Sequence, residues 1–136
     1  QRIAGLGPDV VAPQPFDERA YLRRLREDDP TRPIGDALLD QRIVAGMGTV
    51  WRSEACWRAA IDPWRTTSSL SDEEALRLCA VVRPFMQRSA VDGFQNRHVQ
   101  VYGRAGIACS RCATLIRGGT QGDDNRPLFW CPGCQS

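Results

Sequence analysis

Residues 109–134 read CSRCATLIRGGTQGDDNRPLFWCPGC, and no other stretch says as much about the architecture. Cys109-Ser110-Arg111-Cys112 and Cys131-Pro132-Gly133-Cys134 are two Cys-x-x-Cys pairs with 18 residues between them, which falls inside the window of a four-cysteine zinc site. Two cysteines on one tight turn aim both sulfurs at a single centre, and two such turns complete a tetrahedron. Gly133 lets its turn bend and Pro132 pre-sets its φ. The competing readings are two disulfides or a redox pair, but a redox Cys-x-x-Cys works as a single motif at a helix start. With four thiolates and no open position, the expected ion, one Zn2+, is structural rather than catalytic.

Between the pairs, Ala113–Ile116 and Leu128–Trp130 are β-prone runs flanking a Gly- and Asp-rich turn, residues 118–125. The expectation is a zinc-ribbon hairpin with an exposed tip and Arg126 at the end of that tip. Val99, Val101 and Tyr102 suggest a strand leading into the first pair. A unit of about 40 residues buries little apolar surface, so the metal must supply much of its folding energy.

Upstream, the pattern turns helical. Gly5, Gly7, Pro8, Pro13 and Pro15 mark residues 1–15 as an extended linker. A first helix is expected from Asp17 to about Asp28, with Tyr21, Leu22 and Leu25 as its apolar stripe and Pro30 and Pro33 beyond it. A second is expected from Gly35 to Val44, burying Leu38, Leu39 and Ile43. Ala45-Gly46-Met47-Gly48-Thr49 then precedes a third helix over Val50–Ala60, with Thr49 as its N-cap. Two readings of the Gly-x-Gly stay open: a plain corner between helices, or a phosphate-binding turn offering free amides at a helix start. Ser71 with Glu74 forms a capping box for a fourth helix carrying Ala75, Cys79, Val82 and Met86. Pro84 should kink or break it, and Gly93 should end it. Cys56 and Cys79 read as buried reduced thiols of a cytosolic protein, and His98 as a surface or DNA-facing residue.

The 136-residue chain is 42% hydrophobic and 25% charged, which excludes wholesale disorder, and no apolar run is long enough for a membrane span. A soluble, monomeric, cytoplasmic protein is expected. Every basic residue is Arg. Residues 93–136 hold Arg97, Arg104, Arg111, Arg117 and Arg126 against Asp123 and Asp124 alone. That distribution suits a polyanion, since Arg donates two parallel bonds to a phosphate, and it equally suits a solvated face. Four thiolates and one divalent ion would bring the formal charge of +2 to about zero, so only the distribution bears on DNA.

Residues 38–54, LLDQRIVAGMGTVWRSE, resemble the helix-two-turn-helix signature of the formamidopyrimidine-DNA glycosylase and endonuclease VIII family. Val101–Gly106 leading to Cys109, with Arg126–Gln135, resembles that family's zinc finger and is closest to the endonuclease VIII branch. Leu6–Val10 resembles the segment that joins its catalytic and helical domains. The resemblance implies a mainly α fold with a small β unit: linker 1–15, a helix-two-turn-helix DNA-binding domain over 16–96, and a zinc-ribbon domain over 97–136.

It also implies base-excision repair of oxidised bases, in particular pyrimidines, by a glycosylase with AP lyase activity. The partner is double-stranded DNA carrying damaged bases or abasic sites, and such chemistry requires the base to leave the stack. By the same resemblance Arg126 contacts phosphates beside the lesion, and Gly46 and Gly48 contact another through main-chain amides. Thr49 stands where the family has Asn. The family's nucleophile is an N-terminal Pro followed by Glu, assisted by a Lys. This chain begins Gln1-Arg2-Ile3 and contains no lysine, so it is expected to be the C-terminal half, gripping DNA without catalysing. The alternative class is a non-catalytic zinc-ribbon module that binds replication or repair proteins.

Overall fold

The computed structural model describes residues 5–93 and 99–136, and the reading of His98 falls outside them. Five helices and one hairpin make up the secondary structure of those residues: α1 Glu18–Glu27, α2 Ile34–Ala37, α3 Thr49–Arg58, α4 Asp72–Ala80, α5 Arg83–Asp92, β1 Arg117–Gln121 and β2 Arg126–Trp130. A 3₁₀ turn, Thr67–Ser69, links α3 to α4. The expected class, mainly helical with a small antiparallel hairpin, is the observed one.

Local chemistry accounts for most of the helix ends. Asp17 caps α1 by accepting from the Ala20 amide at 3.0 Å, and Tyr21 and Leu25, one turn apart, face the core. The buried Tyr21 hydroxyl donates to Ala75 O at 2.9 Å, tying α1 to α4. Ser71 and Glu74 form the expected capping box of α4. Pro84 sits in the first turn of α5, where its missing N–H costs nothing, so the expected kink is a full break between two helices. Gly93 closes α5 at φ +85.

Three expectations shift. The second helix is a single turn rather than ten residues. Asp40 Oδ1 accepts from the Arg42 amide at 3.0 Å, a local bond that competes with helix continuation. Thr49 is the first helical residue and not the cap; the extended Gly48 holds the cap position and no side chain caps the helix. The first ribbon strand lies at 117–121 instead of 113–116, because residues 109–114 are consumed by the first cysteine turn. There Cys109 N donates to Thr114 O, Ala113 N donates to Cys109 O, and Ala113 takes φ +68. β1 and β2 pair antiparallel from Arg117↔Trp130 to Gln121↔Arg126, leaving a tip of only Gly122–Asn125. Around Val101 there is no strand; its backbone is held by a carboxylate, described below.

Two apolar clusters result. The larger gathers Tyr21, Leu25, Ile34, Leu38, Ile43, Met47, Leu78, Cys79 and Met86. The smaller gathers Trp57, Val101, Cys109, Ile116 and Cys131 beneath the ribbon. Helix α3 serves both, giving Ala55 and Cys56 to the first and Trp57 to the second. Burial pushes the Cys56 and Cys79 thiols up to about 12, which keeps both inert at neutral pH.

Candidate nucleic-acid interface and metal centre

The two cysteine turns converge. The Sγ atoms of Cys109, Cys112, Cys131 and Cys134 all lie within 4.8 Å of one another, and all four thiols are free. Cys109–Cys134 and Cys112–Cys131 are 3.8 and 3.4 Å apart. A tetrahedron with metal–sulfur bonds of ~2.3 Å needs edges of ~3.8 Å, so these residues fit a four-thiolate ion. Disulfides between these sulfurs would need ~2.05 Å. Each turn is reinforced from outside. Burial opposes the Cys109 thiolate, yet the Trp57 indole and the Arg111 and Cys112 amides outweigh it and bring its pKa down to about 6. Gln135 Oε1 accepts from Cys131 N at 2.6 Å, while its Nε2 donates to Ile61 O at 3.0 Å.

Helix α3 fixes the ribbon with two buried charges. Arg52 is fully buried and forms no ion pair with a carboxylate among the described residues. Its Nη1 donates to Gly35 O at 2.8 Å and Gln121 Oε1 at 2.9 Å; its Nη2 donates to Arg126 O at 3.0 Å and Pro127 O at 2.8 Å. Only its Nε has no acceptor among the described residues. Burial lowers the Arg52 pKa from its ordinary value, though a guanidinium still holds its proton at neutral pH. Glu54, also fully buried, accepts from Gln100 N and Val101 N at 2.8 Å and from Tyr102 N at 3.0 Å. Between them, Ser53 Oγ accepts from Phe129 N at 3.1 Å. One carboxylate thus takes the amides of Gln100, Val101 and Tyr102, as a neighbouring strand would.

The Gly-x-Gly turn has two unequal glycines. Gly46 is left-handed at φ +92, and a Cβ there would lie 2.9 Å from Asp9 Oδ1. Its amide donates to Gln41 Oε1 at 3.0 Å. Gly48 has ordinary extended backbone and nothing within 4 Å of where a Cβ would be. The space in front of α3 is therefore open, and its uncapped first turn presents N–H groups and the positive helix end. Residues 7–10 strap the turn from behind: Gly7 N donates to Gln41 O, Ala45 N to Pro8 O and Val10 N to Ala45 O. Val10 is wholly buried, so this part of the 1–15 segment is packed rather than loose.

Arg126 is exposed at the start of β2. It lines a cleft of about 350 Å3 with Arg32, Asp36, Asp40, Gln41, Asp123 and Asp124. Gln41 therefore bridges the two expected phosphate contacts, lining the Arg126 cleft while holding Gly46. The acids are unevenly committed. Arg32 binds Asp36 and Asp40 at 2.8 Å, and Arg42 and Arg32 hold the Asp40 carboxyl well below the usual range. The hairpin tip comes so close to Asp36 that a Cβ on Gly122 would lie 2.3 Å from its Oδ1.

The structure thus brings the four predicted cysteines into one cluster, while Arg126 lines a cleft that excludes Gly46 and Gly48 and is linked to Gly46 only through Gln41. The sequence reading missed Arg52, Glu54, Gln121 and Gln135. A polar residue looks the same in a sequence whether it faces water or a buried carbonyl, so no local signal marked them.

Residues 6–99 match the Formamidopyrimidine-DNA glycosylase H2TH domain. The chain is 40% identical over 145 aligned positions to a "Probable endonuclease 8 2" of Streptomyces coelicolor, covering 100% of this chain and 52% of that protein. It is 36% identical to a "DNA-(apurinic or apyrimidinic site) lyase Nei2" of Mycolicibacterium smegmatis, covering 98% and 54%. A solved Lactococcus lactis formamidopyrimidine-DNA glycosylase, non-covalently bound to DNA containing an AP site, superposes with a TM-score of 0.83 at 30% identity, covering 96% of this chain and 50% of that one. The chain spans about half the length of the curated relatives it matches.

Proposed function

The chain belongs to the formamidopyrimidine-DNA glycosylase H2TH family, and from that premise we propose that it is the DNA-gripping C-terminal part of a base-excision-repair glycosylase with AP lyase activity. Its substrate is double-stranded DNA with oxidised bases, in particular pyrimidines, or abasic sites. The observation that carries the reading is Gln41, which lines the cleft of the exposed Arg126 and holds Gly46 in the turn that leads to the uncapped start of α3. One phosphate meets the free amides at the start of α3, beside Gly48 and with Thr49 in the first turn, while Gly46, its own amide held by Gln41, shapes the approach; another meets Arg126. A phosphate at Arg126 must outcompete Asp123 and Asp124, which share its cleft.

The four cysteines hold one zinc ion, which folds the ribbon and takes no part in bond breaking. In this reading residues 1–15 connect to a catalytic domain, 16–96 form the helical DNA-binding domain and 97–136 the zinc ribbon. The protein acts as a monomer. We place the chemistry outside these residues: they hold no lysine to serve as an amine nucleophile, and they span about half the length of the curated relatives. Among the described residues no helix is long and apolar enough to cross a membrane.

A salt titration tests the grip. Duplex DNA with an abasic-site analogue should bind the zinc-loaded chain with an affinity that falls steeply as salt rises. Arg126→Ala should weaken binding and lower the slope of log K against log salt by about 0.9, one phosphate's share. An unchanged slope in Arg126→Ala removes the hairpin arginine from the interface.

A further inference from the structure

The cysteine cluster is backed by a side-chain pair that neither the thiolate chemistry nor the DNA grip requires. Trp57, on α3, donates its indole N–H to Cys109 Sγ at 3.3 Å. Arg111, inside the first cysteine turn, donates Nε and Nη2 to Cys134 Sγ at 3.3 and 3.0 Å. The same guanidinium lies over the Trp57 ring, its Cζ 3.8 Å from the centroid. One indole thus orients both donors, touching one sulfur directly and holding the group that touches another. The two sulfurs they serve, Cys109 and Cys134, are themselves neighbours at 3.8 Å.

We propose that Trp57 and Arg111 form a stacked outer layer that sets how tightly the four-cysteine site retains its metal. Four thiolates around a divalent ion carry a net charge of −2, and N–H donors draw that charge off the sulfurs they touch. Arg111, itself exposed, adds a full positive charge beside Cys134. Its fork meets one sulfur with two N–H groups while its face stays on the indole, and a lysine ammonium cannot do both. Because Trp57 belongs to the helix that also carries Arg52 and Glu54, the donor to Cys109 is as fixed as the ribbon itself.

The inference rests on the cysteines holding a metal, and cobalt separates the two claims. The chain, Trp57→Phe and Arg111→Lys are each loaded with Co2+, and the thiolate-to-cobalt absorption bands are recorded. Release to a chelator is then timed. Phe keeps the ring and the stack but loses the N–H; Lys keeps the charge but loses the fork. Both variants should shift the charge-transfer bands and bind metal roughly tenfold more weakly, the low end of the range for outer-layer donors. Arg111 is exposed, so Arg111→Lys should stay folded even if Trp57→Phe does not. Unshifted bands and unchanged release in Arg111→Lys overturn the outer layer while leaving the metal site standing. A parent chain that gives no thiolate–cobalt bands overturns both.

Discussion

Arg52→Met asks how much one buried guanidinium contributes. Methionine keeps the apolar stem, so packing along α3 is largely conserved and the polar contacts alone are lost. Four acceptors lose their donor: Gly35 O, Gln121 Oε1, Arg126 O and Pro127 O. A hydrogen bond to a charged group contributes about 1.5–3 kcal/mol, and burying the cation offsets much of the sum. Removing one side of such an arrangement costs about 3–5 kcal/mol, because the abandoned groups stay buried. A domain of ordinary stability, about 5–15 kcal/mol, would survive that loss in weakened form. Urea unfolding of the zinc-loaded chain, followed by tryptophan emission, measures it directly. Arg52→Lys retains the charge but only three donors at one point, and should recover part of the loss. If Arg52→Met costs less than about 1 kcal/mol, desolvation cancels the bonds and the guanidinium does not hold the hairpin in place.

The two glycines of the turn should separate stability from binding. Gly46→Ala forces a side chain into the left-handed region against Asp9 and should lose about 1–2 kcal/mol in a thermal melt. Gly48→Ala enters open space and loses only the N-cap preference for Gly, so its melting temperature should fall slightly while duplex affinity falls markedly; equal affinity would place the phosphate elsewhere. Arg65 and the Ser71 amide hold the Glu74 carboxyl down at about 2, below its ordinary 4.5. Its contribution is therefore complete above pH ~4.5 and disappears as pH falls toward 2, and the acid slope should flatten in Glu74→Gln. Chelating the metal should abolish the ribbon but leave most helical circular dichroism, since Tyr21, Leu25, Leu38 and Leu78 form their own core. Simultaneous loss of the helical signal would show a single cooperative unit.

What the sequence disclosed was whatever local chemistry decides. The capping box at Ser71 and Glu74, the break at Pro84 and the cysteine pairs are all set by residues a few positions apart. The misplaced features depended on partners far along the chain or on competing local bonds. Val99–Tyr102 has the composition of a strand, yet the amides of Gln100, Val101 and Tyr102 are taken by Glu54, 46 to 48 positions away. The run 113–116 is β-prone, yet Ala113 and Thr114 close the first cysteine turn, and Leu115 makes only an isolated bridge to Ala108. Residues 35–44 have a helical stripe, but Asp40 stops them by bonding the Arg42 amide.

Arg52 and Glu54 also explain why the proposed contacts can act together. They flank Ser53 on one helix, yet they reach different parts of the ribbon. Arg52 holds the β2 backbone at Arg126 and Pro127, and Glu54 holds the segment entering the first cysteine turn. The helix that carries them is the one whose open end receives a phosphate in the proposed grip. Its N-terminal amides and the Arg126 main chain are therefore joined through a single side chain, with no loop between them. Two phosphate contacts held at a fixed separation need little ordering on binding, so more of their attraction survives as affinity. Loosening Arg52 should therefore weaken DNA binding even under conditions where the variant remains folded, and the loss should exceed that of Arg126→Ala in neither salt slope nor charge, only in affinity.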